Sequence, residues 1–498
     1  MNEFATAFAL VLDPHVLAVI LASALFGLFV GAIPGLTATM ATALLVPVTF
    51  FMDPVPAVAT IVTATAMAIF AGDIPGALLR MPGTPASAAY TDESYRMTLK
   101  GQAELVLGAG VVFSAIGGLL GTVVLVTAAP ALAEVALNFS SFEYFWLVLL
   151  GLTCAVFIAS DRPLKAVVSL LVGLLVACIG LNNPAAFPRF TFENTNLMGG
   201  INFIPMMIGM FAVSEVLRFV TSKEAPLHLA QEKIGNIFRG QWQLIKQYPA
   251  AIFRGSAVGT AIGALPGAGA DIAAWISYAI SKKFSKTPDK FGTGHVEGVI
   301  ESGAANNGAL SGAWIPAVVF GIPGDSITAI AIGVLYLKGM NPGPTIFINN
   351  PENIYAVFIV FFLANLLMIP LGLLAVKSYK QVLRVPRHML MPVILTFCMV
   401  GAFAINNSAF DVGVMLVAGI IAFFMERNGF PVAPAILGVV LGGMLEENFA
   451  TSLIKAEGSL WAFFERPIAG GLGVFTILVW LTPLMLRFWR RRNAQAIA

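Results

Sequence analysis

From end to end this chain returns to apolar stretches of about 20 residues, the length an α-helix needs to cross ~30 Å of hydrocarbon. The composition agrees, with 58% of the 498 residues hydrophobic and only 11% charged, against about 25% charged in soluble domains. The stretches lack the ~10-residue alternation of an outer-membrane barrel. The fold class that follows is an all-α polytopic membrane protein. Candidate spans fall near 15–33, 55–79, 104–128, 142–160, 163–181 and 201–220 in the first half. In the second half they fall near 250–265, 303–320, 326–338, 354–376, 389–405, 411–425, 431–445 and 468–486. No Lys or Arg precedes the first apolar run, so a cleavable signal peptide is not expected there.

Within these stretches, Pro-Gly pairs recur in a matched order. "GAIPGLTATMATALLVP" at 31–47 has a counterpart in "GALPGAGADIAAWISYA" at 263–279. "IPGALLRMPGT" at 74–84 has one in "IPAVVFGIPGD" at 315–325. Two motifs in the same order in each half indicate an internal duplication. The segments 36–51 and 269–281 follow breaks and are too short to cross, so they read as re-entrant. Charge bias orients the copies. After the first break, "FMDP" has no basic residue while its counterpart "SKKFSKTPDK" is lysine-rich; after the second break the bias reverses, with Arg80, Arg96 and Lys100 against Lys338 alone. Opposite bias at equivalent positions predicts two inverted-topology repeats with broken helices and re-entrant hairpins. The expected organisation is a first repeat with scaffold helices at 1–220, a cytoplasmic connector at 221–249, a second repeat core at 250–388, and C-terminal scaffold helices at 389–498. Lys165, the basic 218–254 region, "KSYKQVLRVPR" at 377–387 and the terminal "RFWRRR" mark cytoplasmic loops, which puts the C-terminus in the cytoplasm.

Non-helical backbone inside a bilayer is tolerated only where protein or a cavity surrounds it. The helix N-termini it creates offer N–H groups that attract anions. The candidate substrate-binding residues are therefore the tip glycines Gly35, Gly83, Gly267, Gly269 and Gly324, with the hydroxyls of Thr37, Thr39, Thr84, Ser87, Ser326 and Thr328. Asn306 and Asn307 either line the same cavity or hydrogen-bond between helices. Asp271 and Asp325 are assigned to coupling with H⁺ or Na⁺, since a bare carboxylate beside those amides repels an anion; capping alone is the alternative. Arg80 either meets a substrate carboxylate or anchors the topology, and Asp73 and Glu301 read as interfacial.

Other classes find little support. "GDSIT" lacks the second glycine of a nucleophile elbow, "GAGAD" lacks the dinucleotide fingerprint, and His15, His228, His295 and His388 form no HExxH pair. Cys154, Cys178 and Cys398 stand alone in apolar segments and read as small packed side chains. No catalytic residue, resident metal or organic cofactor is expected. A net charge of +2, with no basic patch, gives no footing for nucleic acid.

At these residues the chain resembles the large permease subunit, TctA-type, of the tripartite tricarboxylate transporter family. The resemblance rests on the first and third stretches above, on "GDIPGALLRMPGTPASAAYTDESYRM" and on "GHVEGVIESGAANNGALSGAWIPAVVFGIPGDSITAI". It implies a secondary carrier of the bacterial inner membrane for carboxylates such as citrate. It also implies a small membrane subunit and a periplasmic solute-binding protein that delivers substrate, with ions rather than ATP driving uptake. Elevator-like movement with hairpin tips as gates follows by analogy with related inverted-repeat carriers.

Overall fold

The computed structural model describes residues 2–34, 36–158, 162–181, 187–221, 235–382 and 387–481. Gly35, residues 222–234 of the connector, residues 383–386 of the basic loop and the terminal basic cluster lie outside the described residues. Among the described residues there are helices and no strands, apart from one isolated antiparallel bridge between Gly180 and Arg189.

The first half contains α1 (Asn2–Val11), α2 (Pro14–Ala32), α3 (Ala38–Thr49), α4 (Pro54–Ala71), α5 (Asp73–Leu79), α6 (Ala88–Leu99) and α7 (Ala103–Ala136). It continues with α8 (Ser141–Ile158), α9 (Pro163–Ala177), α10 (Thr195–Met198) and α11 (Phe203–Ile208), then a π-helical turn at Gly209–Val213 and α12 (Ser214–Thr221). The second half holds α13 (Gln241–Gln247), α14 (Pro249–Gly263), α15 (Gly269–Phe284), α16 (Val296–Phe320), α17 (Ser326–Leu337), α18 (Ile346–Asn349) and α19 (Pro351–Val382). It ends with α20 (Arg387–Asn406), α21 (Ala409–Arg427), α22 (Val432–Lys455), α23 (Ala462–Glu465) and a last helix, Pro467–Leu481.

Eight of the described helices are long and apolar enough to cross a membrane. The segment 326–338, expected as a span, is instead the 12-residue α17, about 18 Å long at 1.5 Å per residue. It matches α3 in length, and each follows a Pro-Gly break, so neither crosses alone. In the other direction, the span near 104–128 extends to the 34 residues of α7. The 12-residue α6, which follows the second break of the first half, has no counterpart among the candidate spans.

Two helices form the centre. The membrane-length window of Pro54–Leu79, comprising α4 and α5, is wholly buried. In α16 every residue from Glu297 to Val319 is buried, including Glu301, Ser302, Asn306, Asn307 and Ser311. A helix carrying those groups is stable in a membrane only inside protein, and its neighbours α7 and α14 wrap it through small residues. Arg254 of α14 pairs with Glu301, which is fully buried. By contrast, α20 and α21 are mostly open on the outside, as lipid-facing helices are.

The helix pairs that carry the Pro-Gly breaks touch backbone to backbone. A Cβ on Gly27 or Gly31 of α2 would stand 2.2 or 2.4 Å from the carbonyl oxygens of Ala64 and Ala68 in α4. On Gly259 or Gly263 of α14 it would stand 2.3 or 2.2 Å from those of Ala305 and Ala309 in α16. Beyond the breaks, Gly83 abuts Gly72 and the Gly31 carbonyl, while Gly324 abuts Ala313 and the Gly263 carbonyl. Each residue of the second set holds the motif position that its counterpart holds in the first. Such close crossings are what small residues spaced four apart permit in membranes.

Because the obstruction is backbone rather than a flexible side chain, Gly263→Val is expected to cost at least the ~1–3 kcal/mol of ordinary overpacking. Gly443 in α22 has nothing within 4 Å of an added Cβ, and Gly443→Val should stay within about 0.5 kcal/mol of wild type. Apparent melting of the two purified variants in detergent checks the contrast; equal behaviour would remove the close-crossing argument.

Candidate functional site

The Pro-Gly tips converge. One cavity of about 470 Å³ is lined by Thr37 and Thr39 of the first tip, Thr84 and Pro85 of the second, Gly267, Gly269 and Asp271 of the third, and Asp325 and Ser326 of the fourth. Asn306, at mid-length of α16, forms part of its wall. This volume lies in the usual range for small-molecule sites.

Local chemistry explains each tip. At the first, Thr37 is extended and its Oγ1 accepts the Met40 N–H at 3.2 Å, capping α3. At the third, Gly267 and Gly269 have φ of +81° and +59°, which glycine adopts freely. Gly269 also packs on Asp325, since a Cβ there would lie 2.7 Å from the Asp325 Cβ. The second and fourth tips close by one device. The Ser87 N–H donates to Thr84 Oγ1 at 3.1 Å while the Thr84 N–H donates to Ser87 Oγ at 3.1 Å. At the fourth tip the Thr328 N–H donates to Asp325 Oδ1 and the Asp325 N–H to Thr328 Oγ1, both at 2.8 Å. The fourth tip is a capping box, and the second makes the same reciprocal bonds around the turn that leads into α6, at the matched motif position.

The structure thereby separates the candidate residues. Thr37, Thr39, Thr84, Gly267, Gly269, Asn306 and Ser326 line the cavity, as do Asp271 and Asp325. Ser87 and Thr328 are buried in the caps and do not line it. Gly83 and Gly324 serve the close backbone contacts, and Gly35 lies outside the described residues. Asn307 is turned between helices, donating to the Ala66 carbonyl at 3.3 Å. Arg80 is ion-paired with Asp92 at 2.8 Å, both well exposed, and takes no part in the cavity wall.

Asp271 links the halves. Its Oδ1 accepts the Ala86 N–H of the second tip at 3.1 Å, and Trp275 Nε1, one turn along α15, donates to the Pro85 carbonyl at 3.3 Å. One carboxylate thus satisfies a backbone donor that the break at 82–87 releases.

The cavity also holds charges that sequence reasoning missed. Arg218, assigned above to the basic cytoplasmic region, lies on its wall with Glu215 and Glu426, and it pairs with both glutamates. The available signal was the Glu-x-x-Arg spacing inside the apolar segment 201–220, since ionisable residues in such a segment are functional candidates by default. Among the lining residues, the one cation Arg218 stands against the four carboxylates Glu215, Asp271, Asp325 and Glu426.

Broken helices from both halves of the chain meet around one cavity whose wall carries hydroxyls, carboxylates and an arginine, in a multi-pass helical membrane protein. This chain belongs to the TctA family. The profile of the "Tripartite tricarboxylate transporter TctA family" matches residues 17–437, which include every residue that lines the cavity. Two curated relatives come from Agrobacterium vitis. The "Uncharacterized 52.8 kDa protein in TAR-I ttuC' 3'region" is 34% identical over 462 residues, 92% of each chain. The "Uncharacterized protein in TAR-II ttuC' 3'region" is 36% identical over 228 residues, 45% of this chain and 94% of its own. No solved structure matches the chain.

The capping geometry yields a direct test. Asp325→Ala should destabilise the purified chain by about 1 kcal/mol, the worth of an N-cap, while Asp325→Ser should recover most of it. Thermal unfolding of the two variants in one detergent measures this, and equal losses would show that the cap contributes nothing.

Proposed function

We propose that the chain is an ion-coupled secondary carrier that imports di- or tricarboxylates across the bacterial inner membrane. The observation that carries this reading is the cavity's charge, one cation against four carboxylates, in a member of a tricarboxylate transporter family. An anionic substrate enters such a site only with compensating cations, whether protons or Na⁺. Asp271 and Asp325, at the tips, are the proposed coupling carboxylates. The hydroxyls of Thr37, Thr39, Thr84 and Ser326, the amide of Asn306 and the first-turn N–H groups of α3 and α17 are the proposed substrate contacts.

Energetics point the same way. Moving one charge through 100 mV costs about 2.3 kcal/mol, so a dianion entering an inside-negative cell meets roughly 4.6 kcal/mol and a trianion roughly 7. For the potential not to oppose uptake, at least as many cations as substrate charges must enter with the substrate.

The matched contacts of Gly27, Gly31 and Gly83 with those of Gly259, Gly263 and Gly324 support reading the halves as repeats. The reversed loop charges support their inversion and a cytoplasmic C-terminus. An inverted repeat around a central site is the architecture of alternating access, here proposed as elevator-like motion. The tripartite character of the family supports a small membrane subunit and a periplasmic binding protein as partners.

Uptake of labelled carboxylates into proteoliposomes holding the chain and its small partner tests the reading, with and without loaded binding protein, under separate Na⁺ and H⁺ gradients. Gradient-driven uptake that requires the binding protein is expected. Uptake without it leaves a stand-alone carrier, and no uptake under any gradient removes the proposal. Asp271→Asn and Asp325→Asn should each alter cation dependence; wild-type dependence in both would remove the coupling assignment.

A further inference from the structure

Behind the cavity, Asn306 begins a line of buried polar groups whose further members, Tyr90 and Asp73, the carrier reading leaves unused. Asn306 Nδ2 donates to Tyr90 Oη at 3.2 Å, and Tyr90 Oη donates to Asp73 Oδ1 at 2.6 Å. All three are more than nine-tenths buried, with exposures of 0% for Asn306, 2% for Tyr90 and 8% for Asp73. Two acceptors in this line, Asn306 Oδ1 and Asp73 Oδ2, have no partner among the described residues.

Among the described residues no basic group faces Asp73, and Arg96 of α6 is exposed at the surface. On α6, Tyr90 faces it, while Asp92 pairs with Arg80 at the surface and Glu93 accepts the backbone N–H groups of Gly292, Gly294 and His295. On α7, Gly110 lies beside Asp73 and Glu104 accepts from the Gly235 N–H. On α16, Glu301 pairs with Arg254, and Glu297 with Ser285 and His295. The lone ionisable residue of α2, His15, lies in its first turn, at the far end from Gly31, and α4 has no ionisable side chain.

The pocket beside Asp73 measures about 10 Å³, the lower limit for a single water. Its walls are apolar apart from Asp73, Tyr90 and Ser94. It has room for a proton and none for a hydrated metal ion.

We propose that Asp73, Tyr90 and Asn306 form a proton-linked relay that sets whether the cavity wall offers an acceptor or a donor to the substrate. The inference rests on the carrier reading above and assigns a proton to one of its coupling steps. With Asp73 ionised, every hydrogen bond points towards it, because a carboxylate only accepts. Asn306 then keeps Oδ1 unbonded and one Nδ2 N–H tied to Tyr90, so the amide offers an anion at most its second N–H beside a bare acceptor. With Asp73 protonated, its O–H donates to Tyr90 Oη, the Tyr90 hydroxyl turns to donate to Asn306 Oδ1, and the amide rotates to offer Nδ2 to the substrate. The net change is one proton from cavity water onto Asp73: one O–H bond forms on the carboxylate, one breaks on the hydrated proton, and no other covalent bond changes. Proton and carboxylate each favour the other's binding, as linkage requires.

The test uses the full chain with its small membrane subunit and substrate-loaded binding protein. Exchange of labelled citrate, tartrate and succinate in proteoliposomes first establishes transport. The affinity of an exchanged probe is then measured against pH and corrected for the ligand's own ionisation. In wild type, affinity should be highest at low pH and fall by up to about tenfold per pH unit once Asp73 ionises. Asp73→Asn, which cannot ionise, should flatten the profile, and so should Tyr90→Phe, which keeps the carboxyl and removes the connecting hydroxyl. A purely structural role would change yield or affinity but leave the slope. A wild-type slope in both variants overturns the inference while leaving the carrier intact. If Asp73→Asn does not fold, the slope of Tyr90→Phe alone decides. Absence of exchange in the wild-type chain overturns the carrier reading itself, and the relay with it.

Discussion

The structure depends on a backbone problem. Each Pro-Gly break releases N–H and C=O groups inside an apolar bundle, where every unpaired one costs several kcal/mol. The chain resolves this within each tip and between tips. Thr84 with Ser87 closes a turn by reciprocal bonds, Asp325 with Thr328 closes a capping box, and Asp271 reaches across to the Ala86 N–H. The last of these bonds requires the second and third tips to be near one another. That nearness is set by glycines letting α2 lie against α4 and α14 against α16 at backbone distance. Close packing and polar satisfaction are thus one arrangement seen from two sides.

The same arrangement concentrates charge. Bringing the tips together places Asp271 and Asp325 on one wall, and α12 and α21 add Glu215, Arg218 and Glu426. Arg218 is held by two glutamates, so its positive charge is largely spent within the protein. On the carrier reading proposed above, a cavity of this sign calls for cations alongside an anionic substrate. Asp73, buried behind Asn306 and Tyr90, adds a carboxyl that communicates with the cavity through hydrogen bonds alone.

Much of this was legible beforehand, for definite reasons. Apolar runs of membrane length specify helices because hydrocarbon offers the backbone no other partner. The Pro-Gly motifs located the tips, and Thr37 and Asp325 cap helices there, whereas α15 starts after Ala268 with no side-chain cap and Asp271 bonds the Ala86 N–H instead. Less legible was the direction of each side chain. Ser87 and Thr328 sit one turn past their tips, as Asn307 sits one residue past Asn306, and no spacing rule says which of a close pair faces a cavity. Segment length misled at 326–338, where an apolar run is a 12-residue half-helix, because hydropathy does not register that a break behind it already lies deep in the bundle.

By itself the sequence determined the class, the broken helices, their matched order in the two halves and the family, since each follows from local backbone chemistry or from motifs of contiguous residues. Tertiary structure alone decided that the tips share one cavity, that Arg218 belongs to it rather than to a loop, and that Asp73 is tied to its wall. Those facts rest on contacts between residues far apart in the chain, such as Asn306 with Tyr90 and Asp271 with Ala86. Such contacts arise only when whole helices cross at backbone distance.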